Sequence, residues 1–236
     1  HDGIGMRPAE GLLSQDDQAV VIDTVRRIGG LVSMRALPDG TEAPYELNTT
    51  FYDAMRETEN GADEYHLARF ICSQTIVMSL EGIPAFYIHS MLATPNDHAS
   101  VEKRGMNRAI NRHRWDYDEL RANLANPGSA QSQVMSQMRK RLQIRRKQAA
   151  FHPNATQFTL QTSDDRVLGI WRQSLDRHQS IFALHNVSAE KVTISDSVLN
   201  LIADLTWIDL LSGDHIGTGD ITLAPYQCRW ISNTGY

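Results

Sequence analysis

The pattern of this 236-residue chain changes character once, at Pro153, and that change limits what it can fold into. Before it, apolar residues recur at helical spacing. Ser14 precedes Gln15-Asp16-Asp17 and the apolar Val21, Ile22, Val25 and Ile28, which predicts a capped amphipathic helix stopped by Gly29-Gly30. A second helix is predicted from about Asp63 to Leu80, ended by Gly82, and a third from about Ser129 to Ala150, stopping before Pro153. The stretch from Leu31 to Phe51, interrupted by Pro38, Gly40 and Pro44, reads as a long irregular loop of the kind that tends to be functional. Met91 to about Asn126 reads as a second site-forming loop, and Ile83-Pro84-Ala85-Phe86-Tyr87-Ile88 as a short buried strand of a parallel sheet. Beyond Pro153 come short β-branched or alternating runs at 157–160, 167–171, 180–184, 191–194, 205–210 and 221–231, separated by Asp, Asn, Ser and Gly. Helical and strand segments followed by an all-β module imply an α/β core with an appended antiparallel sheet.

Composition fits a packed soluble domain, with 41% apolar and 22% charged residues. A net charge of −5 gives no overall attraction to nucleic acid or anionic lipid, so neither is expected as a partner. No apolar run approaches the length of a membrane-spanning helix. Cys72 and Cys228 are far apart in the sequence and lack metal or disulfide spacing, which points to a reducing, cytoplasmic setting. His89 and the Asp97-His98 pair match no metal-ligand spacing, so no metal is expected. Arg139, Lys140, Arg141, Arg145, Arg146 and Lys147 read as the solvated face of a helix.

The first residues, His1-Asp2-Gly3-Ile4-Gly5, form a glycine-bent His-Asp loop with no element before it to aim the two side chains. This predicts that the chain is the C-terminal part of a longer polypeptide. The loop resembles the His-Asp loop after the seventh barrel strand of the α-amylase superfamily (glycoside hydrolase family thirteen), in the form found in its sucrose phosphorylase and glucosylglycerol phosphorylase-like group. Three more segments follow in that family's order. Pro44-Tyr45-Glu46-Leu47-Asn48-Thr49-Thr50-Phe51-Tyr52 is similar to the acceptor loop, Gly82-Ile83-Pro84-Ala85-Phe86-Tyr87 to the eighth barrel strand, and Asn107-Arg108-Ala109-Ile110-Asn111-Arg112-His113 to the phosphate-proximal loop. Residues 154–236 resemble the closing β-sandwich.

The resemblance implies an α/β fold in two parts: residues 1–153 as the C-terminal part of a (β/α)8 TIM barrel with its acceptor-site loops, and 154–236 as a small antiparallel β-sandwich. It implies an α-glucoside phosphorylase that transfers glucose with retention to inorganic phosphate, releasing α-glucose 1-phosphate. The alternatives are a hydrolase or transglucosidase of the same superfamily, or a non-catalytic sugar-binding fragment. Retaining transfer needs a nucleophilic carboxylate and an acid/base carboxylate; by resemblance both lie in an upstream barrel half of the same polypeptide. Asp2 would be the third carboxylate, stabilising the transition state. His1, Tyr45, Glu46, Asn48, His89 and Arg108 would bind substrate, with Arg108 and Tyr45 on phosphate. No cofactor is implied, since phosphate is a co-substrate, and a homodimer is compatible with the reading. Glu46 departs from the glutamine typical of sucrose phosphorylases. A carboxylate there repels an anionic acceptor and accepts hydrogen bonds from a neutral polyol. The expectation is therefore glucosylglycerol ahead of sucrose, with glucosylglycerate behind unless a nearby cation compensates.

Overall fold

The computed structural model describes residues 2–199 and 206–234; His1, and part of the strand expected at 205–210, lie outside them. In chain order come β1 (Ile4–Gly5), α1 (Gln15–Arg27), β2 (Leu31–Ala36), β3 (Glu42–Asn48), α2 (Phe51–Ala54), β4 (Glu57–Thr58) and β5 (Gly61–Ala62). Five helices follow: α3 (His66–Ser79), α4 (Ile88–Met91), α5 (His98–Arg104), α6 (Tyr117–Ala125) and α7 (Ala130–Arg145). The remainder is strand: β6 (Thr156–Leu160), β7 (Val167–Gln173), β8 (Ser180–Asn186), β9 (Val192–Ile194), β10 (Trp207–Asp209), β11 (His215–Ile216), β12 (Ile221–Leu223) and β13 (Cys228–Ser232). Two compact units result, one of residues 1–67 and 86–135, the other of 68–85 and 136–236. The strands beyond Pro153 thus pack into one unit with most of α3 and the end of α7.

The first unit carries a three-stranded antiparallel sheet in the order β1-β3-β2. The Leu31–Phe51 segment is therefore a hairpin, not an irregular loop. Its turn is closed by Asp39, whose Oδ1 accepts from Thr41 N at 3.0 Å and Thr41 Oγ1 at 2.6 Å, the side-chain turn chemistry that Asx residues supply. Pro44 has no N–H for a ladder, and it is accommodated where the β2–β3 register shifts between Ser33 and Met34. Beside the sheet, α1 starts at Ser14, whose Oγ accepts from Asp17 N at 3.1 Å. Its Ile22 and Val25 close a small core with Met6 and Leu47.

Two other segments differ from what their sequence predicts. Ile83–Ile88 is not a strand: Ile83 is 83% exposed, Ile88 opens α4, and no strand among the described residues pairs with the segment. Apolar content signals burial without supplying the neighbour that a ladder requires. The stretch from Met91 to Asn126 is not irregular throughout, because Asp97 and Asp116 cap α5 and α6 by accepting backbone N–H groups of their first turns.

The second unit is built on a six-stranded antiparallel sheet, β11-β10-β13-β8-β7-β6, with β9 and β12 forming a separate pair. Phe182 and Leu184 of β8 and Ile231 of β13 share a buried cluster with Val192, Ile194, Ile221 and Leu223 of that pair. Alternation sends Trp230 to the opposite face, where it lies 4.8 Å from the Phe151 ring and donates through Nε1 to Ser79 Oγ at 2.9 Å. The C-terminal carbonyls of α3 are met by arginines: Arg145 Nε donates to Met78 O at 2.8 Å and Arg172 Nη1 to Ser79 O at 3.2 Å. Arg141 Nε likewise donates to Thr75 Oγ1 at 2.9 Å. The basic run of α7 is therefore not wholly a solvated face. Burial lowers the pKa of Arg141 and of Arg145 from the usual arginine value. No helix among the described residues is long and apolar enough to cross a membrane.

Candidate functional site

The site begins where β1 pairs with β3. Ile4 faces Leu47 and Gly5 faces Glu46 across that antiparallel pair, and Met6 N donates to Tyr45 O at 3.0 Å. This register lays the Asp2-Gly3 loop against Glu46. The fit is close: a Cβ on Gly3, at φ +106°, would sit 2.9 Å from Glu46 Oε1.

Asp2 is buried, and both carboxylate oxygens are engaged. Ser90 Oγ in α4 donates to Oδ1 at 2.9 Å, and Phe51 N, at the start of α2, donates to Oδ2 at 3.0 Å. Asn111 Nδ2 donates to the Asp2 carbonyl oxygen at 2.8 Å, fixing the backbone as well. The start of α2 is itself held, since Asn96 Oδ1 accepts from Thr50 N at 2.7 Å while Asn96 N donates to Asp53 Oδ2 at 2.8 Å. Asp2 thus sits on supports drawn from three distant stretches of chain. Such supports fix a carboxylate to a narrow orientation, as a binding or catalytic group requires.

The turn at Asn107–Asn111 brings in Arg108. Its Nε and Nη2 both donate to Glu46 Oε2, at 2.8 and 2.6 Å. The Glu46 side chain is 8% exposed and that of Arg108 is 49% exposed, so a buried carboxylate is answered by a half-exposed guanidinium. The Glu46 hydrogen bonds raise the Arg108 pKa above its usual value. Tyr45, Glu46 and Arg108 line one cleft of about 310 Å³, together with Arg7, and its remaining wall is Gly3, Gly5 and Pro8.

The predicted site residues are therefore not all brought together. Tyr45, Glu46 and Arg108 meet in the cleft, with Asp2 anchored one residue before its Gly3 wall. His89 is buried, and its Nδ1 lies 3.1 Å from Thr94 Oγ1; burial lowers its pKa, opposed by the charge of Asp2 and assisted by His113. Its imidazole is accordingly neutral at neutral pH. Asn48 does not line the cleft: it is fully buried in β3, with Oδ1 accepting from Ser33 Oγ at 2.5 Å. His1 is outside the described residues. Asp97 pairs with His113 Nδ1 at 2.7 Å and caps α5, and no cluster of three His, Cys, Asp or Glu side chains suited to a metal occurs among the described residues. Ser90 and Arg7 were not among the expected site residues, and Asn111 was expected only as part of the 107–113 loop. Arg7 carried a local signal of its own, as a cation two residues beyond the His-Asp-Gly-Ile-Gly loop.

No protein-family model matches the chain. Among curated proteins it is 36% identical over 231 residues to glucosylglycerate phosphorylase of Escherichia coli K12, covering 98% of this chain and 40% of that protein. It is 28% identical over 200 residues to glucosylglycerol phosphorylase of Marinobacter adhaerens, covering 83% of this chain and 38% of the relative. The chain matches the C-terminal part of these phosphorylases. It spans about two fifths of their length. Among solved structures, sucrose 6F-phosphate phosphorylase from Thermoanaerobacter thermosaccharolyticum superposes with a TM-score of 0.66 at 20% identity, over 94% of this chain and 39% of that one. That likeness establishes a shared mixed α/β fold with this phosphorylase relative.

Proposed function

We propose that the polypeptide to which this segment belongs is a retaining α-glucoside phosphorylase, with glucosylglycerate as its preferred substrate. The observation that carries the reading is the Asp2 loop held against the Glu46–Arg108 pair in one cleft, in a chain 36% identical to a glucosylglycerate phosphorylase over nearly its whole length. In this reading residues 1–153 complete a (β/α)8 barrel, whose upstream half supplies the nucleophile and the acid/base.

The chemistry follows in two steps. The upstream nucleophile takes the glucosyl group as the acid/base protonates the departing glycerate oxygen, and phosphate then attacks the same carbon to give α-glucose 1-phosphate. Positive charge builds on the ring carbon and ring oxygen in both transition states. Asp2 would act there, accepting from sugar hydroxyls with the lone pairs that Ser90 and Phe51 N leave free, and meeting the ring's charge with its own. Its two donors hold it in place before substrate arrives, so little reorganisation is left for the reaction step. Arg108 and Tyr45 would contact the incoming phosphate.

Glu46 bears on the acceptor preference. The residue alone favours a neutral polyol and places glucosylglycerate last unless a cation compensates. Arg108 is that cation, bonded twice to Glu46 Oε2, and the pair presents far less negative charge than a free carboxylate would. That removes the objection to glucosylglycerate, and the 36% identity to a glucosylglycerate phosphorylase supports it ahead of glucosylglycerol and sucrose.

The test is release of α-glucose 1-phosphate from each of the three glucosides by the full-length protein, with and without inorganic phosphate. Phosphate-dependent release, fastest from glucosylglycerate, is the expected result. Equal rates of glucose release in the absence of phosphate would make the protein a hydrolase and end this reading.

A further inference from the structure

Two guanidiniums share the cleft with one carboxylate, which leaves one positive charge over. Arg108 is committed to Glu46. Arg7 is exposed, and it has neither an ion pair nor a side-chain hydrogen bond among the described residues. Its backbone, by contrast, is held firmly. Met6 before it is 2% exposed in the small core and is bonded to Tyr45 O, Pro8 after it has a fixed φ, and Arg7 O accepts from Glu10 N at 3.2 Å. An anchored backbone carrying an unpaired guanidinium at a cleft wall is how a protein presents a planar fork to a carboxylate or phosphate.

We infer that Arg7 determines specificity for the acceptor by binding the carboxylate of a three-carbon hydroxy acid, and that it is the residue which separates glycerate from glycerol. The inference rests on the phosphorylase reading above. Two anions enter this cleft in that reaction, inorganic phosphate and the carboxylate of the leaving acid. In that reading Arg108 and Tyr45 already serve phosphate, and Arg7, the guanidinium of the cleft without an ion pair among the described residues, is left for the single negative charge of the acid. Arg7 is therefore assigned to the acid and not to phosphate. Lysine in its place would keep the charge but lose the paired donors, and should retain only part of the preference.

The experiment uses the full-length protein in the synthetic direction, with α-glucose 1-phosphate as donor and glycerate or glycerol as acceptor. Arg7→Ala should lower the ratio of kcat/KM for glycerate over glycerol about ten- to a hundredfold, as loss of a charged hydrogen-bonding partner does. Arg7→Lys should lie between the variant and the wild type. An unchanged ratio overturns the proposal, and so does a rise in the KM for glucose 1-phosphate that leaves the ratio intact, because Arg7 would then serve the phosphate group. Should the wild type release no inorganic phosphate from glucose 1-phosphate with either acceptor, the phosphorylase reading fails by itself. Calorimetric titration of glycerate and glycerol into wild type and Arg7→Ala still judges Arg7: weaker binding of glycerate alone in the variant supports its role, and equal binding in both proteins ends it.

Discussion

The two units bury different things. In the sheet-based unit, Val167, Phe182, Leu184, Val192, Ile194, Ile221, Leu223 and Ile231 form one apolar cluster, each 6% exposed or less. In the loop-rich unit Met6, Ile22, Val25 and Leu47 form a smaller cluster, and much of what is buried around it is polar: Asp2, Glu46, Asn48, Thr49, Thr50 and Asp53. The difference teaches where each unit's stability resides. Apolar burial is additive with area and indifferent to direction, so the apolar cluster of the sheet unit is sensitive to lost volume but asks little of orientation. A buried polar set is stable only while each member keeps its partner, so the loop unit is vulnerable at single hydrogen bonds. That is also what a site needs, because directional bonds aim groups and apolar contacts do not.

The largest test is Trp230→Ala, in the sheet unit. Trp230 is fully buried, packs on Phe151 and donates to Ser79 Oγ. Its truncation should cost about 3–5 kcal/mol from the cavity, read as a lower urea midpoint. A cost below that of Gly3→Ala or Ser90→Ala in the loop unit would break the comparison.

Next comes the pH dependence that the sheet unit should impose. His185 is fully buried, with Nε2 3.0 Å from Ser79 Oγ and Nδ1 3.2 Å from Leu168 O, and burial pushes its pKa from 6.5 down to about 4. Below pH 6.5 the unfolded chain binds a proton that the folded one refuses until about pH 4. Stability from this group is therefore complete above pH 6.5 and declines as pH falls toward 4, by at most about 3 kcal/mol. His185→Gln should flatten that part of the stability–pH curve, and an unaltered slope would refute the assignment.

Within the loop unit, Gly3 and Gly40 form a matched pair. Both have positive φ, +106° and +84°, yet a Cβ at Gly40 meets nothing within 4 Å, whereas at Gly3 it meets Glu46 Oε1 at 2.9 Å. Gly40→Ala should cost about 1 kcal/mol, from backbone strain alone. Gly3→Ala should cost about 2 kcal/mol, adding displacement of Glu46 to the same strain, and should disturb acceptor preference as Gly40→Ala does not. Equal effects in denaturation and acceptor assays would mean that Glu46 yields freely.

The same contrast explains which parts of the structure were legible in the sequence. The strands beyond Pro153 and α1 with its Ser14 cap announce themselves through periodicity and capping chemistry, both local. The β2–β3 hairpin was hidden because Pro38, Gly40 and Pro44 look like breakers. Only the pairing shows that Gly40 belongs to the turn and that Pro44 sits at a register shift. Ile83–Ile88 misled in the opposite sense, since a strand is defined by a neighbour that composition does not supply. At the site, Asp2, Tyr45, Glu46 and Arg108 stand in motifs that a sequence displays. Ser90 and Asn111 reach Asp2 from 88 and 109 positions away; nothing local marks Ser90, and the motif that holds Asn111 does not point it at Asp2. A polar network is written in three dimensions, and its members have no period.

Ser90→Ala is the smallest change and the sharpest test of that point. It removes one donor from a buried carboxylate, the hydroxyl 2.9 Å from Asp2 Oδ1, and leaves Phe51 N on Oδ2. The stability cost should be about 1 kcal/mol, the usual worth of one hydrogen bond, and well below that of Trp230→Ala. If Ser90 acts by positioning Asp2, kcat in the full-length protein should fall about tenfold while KM for the glucoside changes little, because the lost support matters most when charge develops on the ring. Ser90→Thr, which keeps the hydroxyl, should recover most of kcat. A loss of stability with kcat untouched would make Ser90 a packing residue, and the polar core of this unit would then serve folding in the same undirected way as the apolar core of the other.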